Sequence, residues 1–188
     1  MENPLITKEY QEQMQHVNMT TTMGSQGRSS NPRMHYYPEF FKRYNIKTAL
    51  DFGCGMGAFT NAVRNLGIEA EGYDPCIPQF NVMPEDTFEA VISNDVMEHV
   101  EPEMLADTLK MLSGKFTKAI YLNICCRPAR QFLPDGRNAH LIIKPEEWWD
   151  EQIMTHMEDV VPAKQRYYTG QWNKNIHMIY ERRSVYGD

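Results

Sequence analysis

The stretch T-A-L-D-F-G-C-G-M-G, Thr48 to Gly57, decides how the rest of the chain is read. An apolar run of Ala49, Leu50 and Phe52 breaks into three glycines at alternate positions, Gly53, Gly55 and Gly57. Ala58, Phe59, Ala62, Val63 and Leu66 then follow at helical spacing. This is the order strand, tight turn, helix. Glycines so placed let the backbone turn sharply and approach a ligand closely, and the start of the following helix offers unpaired N–H groups. A nucleotide-like cofactor is the expected occupant.

Downstream, Gly67 ends the helix, and Ile68 to Tyr73 reads as a second strand finishing at Asp74-Pro75. Asp74 stands about twenty residues past the glycine turn, where an acid at the end of the second strand accepts hydrogen bonds from ribose hydroxyls. A turn aspartate before proline is the plainer alternative. Cys76 to Thr87 holds two prolines, Pro78 and Pro84, and no helical pattern, so the crossover is expected to be trimmed. Phe88 to Ser93 reads as a buried strand that delivers Asn94, Asp95, Glu98 and His99 to the crevice side of the sheet. For His99 a satisfied structural histidine is the first reading, ahead of a role in the crevice.

A helix is expected from Pro102, with Met104, Leu105, Leu109, Leu112 and Phe116 as its core stripe, and then a strand over Ala119 to Ile124. Pro128 to Ile143 is a long loop carrying Arg130, Asp135, Arg137, Asn138 and His140. Pro145 begins another helix, with Trp149, Ile153 and Met157 on one face. Val160 to Tyr168 and Asn175 to Arg182 read as two antiparallel strands joined by a turn at Gly170 to Lys174. Upstream, Tyr10, Met14 and Val17 give a helical pattern between Met1 and Asn18, and Thr20 to Arg33 has loop composition. Pro38 opens a short helix through Phe40, Phe41 and Tyr44. The organisation expected is an arm or lid over residues 1–37 and a single compact domain over residues 38–188.

The 188 residues suffice for one substantial core. A net charge of −6 counts against nucleic acid as a partner, because phosphate backbones select basic faces. Cys54, Cys76, Cys125 and Cys126 lack metal-site spacing, and no metal ligands are assigned from the sequence. No secretory signal and no run long enough to span a bilayer are present, so a soluble protein with free thiols in the cytoplasm is expected.

Three segments now carry a resemblance: D-F-G-C-G-M-G (Asp51 to Gly57), E-G-Y-D (Glu71 to Asp74) and F-E-A-V-I-S-N-D-V-M-E-H-V (Phe88 to Val100). In order and spacing they resemble class I S-adenosylmethionine-dependent methyltransferases, the last being similar to the small-molecule branch typified by ubiquinone-biosynthesis and type 11/12 enzymes. The likeness covers Ala49 to Glu147. It implies an α/β, Rossmann-like doubly wound sheet, mostly parallel with a terminal antiparallel strand and helices on both faces. It also implies S-adenosylmethionine as cofactor, with Asp51, Gly53, Gly55 and Gly57 against its methionine and ribose portions, Asp74 on the ribose and Asn94 beneath the sulfonium. His140, in N-A-H-L-I-I-K-P-E-E-W, falls where such enzymes often place a histidine facing the acceptor. The adenine contacts are not assignable in the shortened segment, and Arg127, Arg130 and Arg137 match no family feature.

Methyl transfer is an in-line displacement from a donor that already carries a good leaving group, so alignment and exclusion of water are the main requirements. A hydroxyl or amine acceptor also needs a base, for which His140 is the first candidate and His99 the reserve. The arginines suit an anionic small-molecule acceptor, since guanidinium forks match carboxylates and phosphates; solvated surface charge accounts for them equally well. Two rival readings stand beside this one. Gly53-x-Gly55-x-x-Ala58 fits a looser dinucleotide fingerprint of a nicotinamide-dependent oxidoreductase, although Asp51 would repel a pyrophosphate. A non-catalytic cofactor-binding partner subunit would keep the same turn.

Overall fold

The computed structural model describes residues 5–20, 37–163, 167–168 and 175–183. Five helices and seven strands are found among them: α1 (Lys8–Thr20), α2 (Tyr37–Arg43), β1 (Thr48–Phe52), α3 (Ala58–Asn65), β2 (Glu69–Tyr73), β3 (Phe88–Asn94), α4 (Leu105–Ser113), β4 (Phe116–Cys125), α5 (Glu146–His156), β5 (Val160–Pro162), β6 (Tyr167–Tyr168) and β7 (Asn175–Arg182). Short 3-10 turns cover Met97–His99 and Pro102–Met104. The strands make one sheet in the order β2-β1-β3-β4-β7-β5, with β6 also paired to β7. β2, β1, β3 and β4 are parallel, and β7 runs antiparallel to β4, β5 and β6. This is the doubly wound α/β sheet with a terminal antiparallel strand expected from the sequence.

Both faces of the sheet are covered, which is why its central strands are apolar nearly throughout. On one face Leu105, Leu109 and Leu112 of α4 and Trp149 and Ile153 of α5 pack with Leu50, Val91, Ile120 and Leu122. On the other, Tyr37, Phe40 and Phe41 of α2 and Val63 of α3 pack on Ala49, Ala90, Ile92 and Tyr121. Each fully buried side chain of this kind contributes about 1.5–3 kcal/mol relative to exposure. Small alanines on β1, β3 and β4 make room for the aromatic cluster of α2, where Phe40 meets Tyr121 edge-on at 5.3 Å.

Chain order places the switch point beside β1: the chain leaves β1 to β2 on one side and returns through β3 on the other. A crevice forms at the carboxyl ends of strands where their order reverses in this way. Between β2 and β3 the segment from Asp74 to Thr87 contains only turns and bends, the trimmed crossover expected.

The structure departs from the sequence-based expectations in two elements. Phe116 opens β4 rather than closing α4, because the helix stops at Ser113 and Gly114 takes the cap. The stretch from Val160 to Tyr168 is not one strand: Val160–Pro162 and Tyr167–Tyr168 pair β7 separately, with a two-residue change in register between them. The segment expected as a lid loop, Thr20 to Arg33, lies outside the described residues beyond Thr20, and the turn at Gly170 to Lys174 lies wholly outside them.

Candidate active site

The carboxyl ends of β1, β2 and β3 open into a cavity of about 170 Å³. Its wall includes Phe52, Gly53, Gly55, Asp74, Asp95 and His99 from the sheet edge, and Leu5, Ile6, Tyr10 and Met14 from the arm. The glycine turn forms its base. Gly53 and Gly55 both sit in the left-handed region, at φ 78° and 54°. A Cβ on Gly53 would fall 2.2 Å from Val96 Cγ2, whereas one on Gly55 would meet nothing within 4 Å. Gly53 is therefore required by packing, and Gly55 leaves its backbone bare beside open space.

Asp74 ends β2 with both carboxylate oxygens engaged: Gly55 N–H donates to Oδ2 at 3.0 Å and Cys76 N–H donates to Oδ1 at 2.9 Å. The bond to Gly55 ties the acid to the turn. Burial raises its pKa, against these two bonds, which lower it. Each oxygen keeps a further lone pair for a ligand donor.

Asp51 lies below the turn instead of on the cavity wall. Its side chain is buried, and its Oδ2 accepts a 2.6 Å hydrogen bond from Thr60 Oγ1 on α3. Burial pushes its pKa up to about 7, helped by the nearby Asp74 charge and opposed by the Thr60 bond. Gly57 starts α3 and packs at Phe80; like Asp51 and Asn94 it is outside the cavity lining. Asn94 accepts a hydrogen bond at Oδ1 from Tyr37 Oη, while its buried Nδ2 has no partner among the described residues.

The two histidines meet. Ile142 N–H donates to Glu98 O at 3.0 Å, which draws the long loop onto the 3-10 turn after β3. His99 and His140 then lie ring against ring, with centroids 4.6 Å apart at 89°. His99 Nδ1 bonds Ala139 O at 2.7 Å, and His140 Nδ1 bonds Arg127 O at 2.6 Å. A carbonyl only accepts, so each Nδ1 carries a proton, and in a neutral ring Nε2 is then the atom with the lone pair. Burial, with the neighbouring His140, lowers His99 to about 4. Beneath them Glu98 is fully buried, with Oε1 accepting from Cys125 N–H at 3.0 Å and Oε2 without a partner among the described residues. Burial first and the Asp95 charge second hold this carboxyl well above its ordinary range.

Sequence reasoning overlooked three contributors. Glu98 is expected on the crevice side but has no role assigned from the sequence; its place beside a histidine at a strand's carboxyl end is the signal for one. Asn138 clasps the loop, its Oδ1 accepting from Ala129 N–H at 2.9 Å and from His140 N–H at 3.0 Å. The arm is fastened by Thr7, whose N–H and Oγ1 donate to the Glu101 carboxylate at 2.8 and 2.7 Å, and by Tyr10 Oη, which donates to His99 O at 2.6 Å. No sequence pattern announces such long-range bonds. Of the loop arginines, Arg137 pairs with Asp135 at 2.7 Å and lies over the Tyr10 ring at 6.0 Å.

A family model described as a methyltransferase domain matches residues 24–165. Among curated proteins no sequence match was found. Among solved structures the chain is similar to 1,6-didemethyltoxoflavin-N1-methyltransferase of Burkholderia thailandensis, crystallised with 1,6-didemethyltoxoflavin and S-adenosylhomocysteine, at a TM-score of 0.69 and 14% identity over 97% of this chain and 93% of that one. It is also similar to the S-adenosylhomocysteine-bound magnesium protoporphyrin IX methyltransferase of Synechocystis PCC 6803, at a TM-score of 0.58 and 12% identity over 91% and 84%. A third is a SAM-dependent methyltransferase from Archaeoglobus fulgidus, at a TM-score of 0.51 and 20% identity over 80% and 91%. At these identities the structural likeness is one of fold.

Proposed function

The chain belongs to the methyltransferase domain family, and from that premise we propose that it methylates a small-molecule acceptor with S-adenosylmethionine as donor. The observation that carries this is the bare glycine turn at Gly53 and Gly55 with Asp74 bonded to it, all on one cavity at the strands' carboxyl ends. These residues fit the donor. Gly55 leaves room for close backbone approach, and Asp74 has lone pairs for two ribose hydroxyls. Asp51, held by Thr60 under the turn, supplies negative charge for the donor's ammonium; a nearby cation favours its ionised form. Gly57 starts the helix behind the turn, and Asn94 ends β3 with a buried amide nitrogen to spare. When bound, the donor supplies an activated methyl on a sulfonium; the protein's part is to align the acceptor and exclude water.

Exclusion of water falls to the arm. Leu5, Ile6, Tyr10 and Met14 line the cavity, and Thr7 and Tyr10 fasten them to the residues after β3. The proton of a hydroxyl or amine acceptor is handled at the corner formed by His99 and His140. An anionic acceptor would draw on Arg127 and Arg130, since Arg137 already has Asp135. Two carboxyls beside the turn disfavour the pyrophosphate of a nicotinamide dinucleotide. Four free cysteines suit a cytoplasmic setting, and no helix among the described residues is long and apolar enough to cross a membrane.

Calorimetry with S-adenosylhomocysteine and with NAD, followed by transfer of labelled methyl from S-adenosylmethionine to a panel of hydroxyl, amine and carboxylate acceptors, tests the proposal. Binding of the homocysteine compound alone is expected, with label passing to one acceptor class. Binding of NAD alone would overturn it, and donor binding without transfer to any acceptor would favour a partner subunit.

A further inference from the structure

We infer that Glu98, His99 and His140 bind one divalent transition-metal ion beside the cleft, leaving coordination positions open for an oxygen of the acceptor; only this last clause rests on the methyl-transfer reading. One carboxylate oxygen and one nitrogen from each ring lie within 4.8 Å of one another. Ligand atoms around a four-coordinate ion at about 2.1 Å stand about 3.4 Å apart, so binding draws the three groups slightly inward from their present spacing.

Three independent features mark the cluster as built for a cation. Both Nδ1 atoms are committed to backbone carbonyls, Ala139 O and Arg127 O. A metal-bound histidine characteristically donates its other ring N–H in this way, which fixes both the tautomer and the ring's orientation. Second, Glu98 Oε2 is buried with no hydrogen-bond partner among the described residues. An orphaned carboxylate oxygen is costly in the interior, and a cation offsets that cost where no donor is at hand. Third, the ligand-bearing segments are clamped before any ion arrives. Ile142 N–H holds Glu98 O, and Asn138 holds the His140 backbone.

Two imidazoles and one carboxylate suit Zn²⁺, Mn²⁺, Fe²⁺ or Co²⁺ over Mg²⁺ or Ca²⁺, which prefer oxygen ligands throughout. His99 lines the cavity, which puts the ion at its edge. With both Nε2 lone pairs on the ion, neither ring is a base. The cation takes over that duty, because a bound hydroxyl or water becomes far more acidic.

Co²⁺ titration followed by visible ligand-field absorption tests this on the full chain, with S-adenosylhomocysteine calorimetry run in parallel. One saturable Co²⁺ site per chain is expected in the wild type. In Glu98→Gln, where the amide oxygen can keep the Cys125 bond, and in His140→Ala, which alters a half-buried loop residue, affinity for Co²⁺ should fall by at least about 100-fold. S-adenosylhomocysteine binding should be unchanged in both. A wild type that binds the homocysteine compound and shows no saturable Co²⁺ site overturns the inference and leaves the methyl-donor reading standing, as does Co²⁺ binding that survives both substitutions. Co²⁺ binding with the expected losses, in a wild type that fails to bind the homocysteine compound, upholds the metal site and removes the donor.

Discussion

Replacing Asp51 with asparagine should make the protein more stable and a poorer binder of its donor. Asp51 is buried, and its pKa stands at about 7 against an ordinary 3.8. Between these two values the unfolded chain has lost the proton and the folded chain keeps it. Stability therefore falls as pH rises through this window and levels off above it. The full difference corresponds to about 4 kcal/mol, at about 1.4 kcal/mol per tenfold in proton affinity, as an order of magnitude. Asparagine keeps an oxygen for the Thr60 hydroxyl and never ionises. Its advantage over aspartate should grow by about 3 kcal/mol between pH 5 and pH 8.5. Urea unfolding of both proteins at the two pH values measures this through the midpoint at constant slope. Calorimetry with S-adenosylhomocysteine supplies the other half: wild-type affinity should rise with pH up to about 7, and the variant should bind weakly with no such rise. An equal stability difference at pH 5 and pH 8.5 would refute the assignment of a strained, half-ionised acid. Wild-type binding that is flat in pH would detach Asp51 from the ligand.

Two glycine variants should separate packing from binding. Gly53→Ala places a methyl on Val96 and should cost at least about 2 kcal/mol in thermal unfolding, whereas Gly55→Ala meets no atom within 4 Å, so it should lose only about 1–2 kcal/mol of left-handed strain while weakening donor binding more than tenfold in calorimetry. Tyr37→Phe removes the hydroxyl that donates to Asn94 and should destabilise by about 1–2 kcal/mol on denaturant unfolding. His140→Ala should lower turnover by at least about 100-fold with S-adenosylhomocysteine affinity within about twofold of wild type; unchanged turnover in a methyl-transfer assay would remove the His99 and His140 corner from the reaction.

The doubly wound sheet was legible because its signals are local. Glycines at Gly53 and Gly55 follow an apolar strand directly, and β3 and β4 are apolar runs with no competing helical period. The end of α4 was misread for the same local reason: Phe116 continues the spacing of Leu109 and Leu112, yet Gly114 ends the helix and hydrogen bonding to Phe88 of β3 claims the phenylalanine for the sheet. Site residues divide along the same line. Gly53, Gly55 and Asp74 reach the cavity because they cap strands whose direction the sequence fixes locally. Asp51 shares their motif but points below the turn, since side chains alternate along a strand and its neighbour Phe52 takes the cavity side. The meeting of His99 with His140 depends on bonds such as that from Ile142 to Glu98, between segments far apart in sequence. No periodicity encodes it.

The placement of β7 bears on how the molecule is made. It runs between β4 on one side and β5 and β6 on the other, so an interior position in the sheet is filled by the strand that comes last in chain order among the described residues. Until Asn175 to Arg182 emerge, the inner edge of β4, with Tyr121, Leu122 and Ile124, has no partner on that side. Domains generally fold as units during synthesis, and unpaired edges are where nascent chains associate wrongly. A ribosome stalled before residue 175 would thus hold an open, sticky half-sheet for chaperones to shield, and release of the closing segment should complete the domain in one cooperative step.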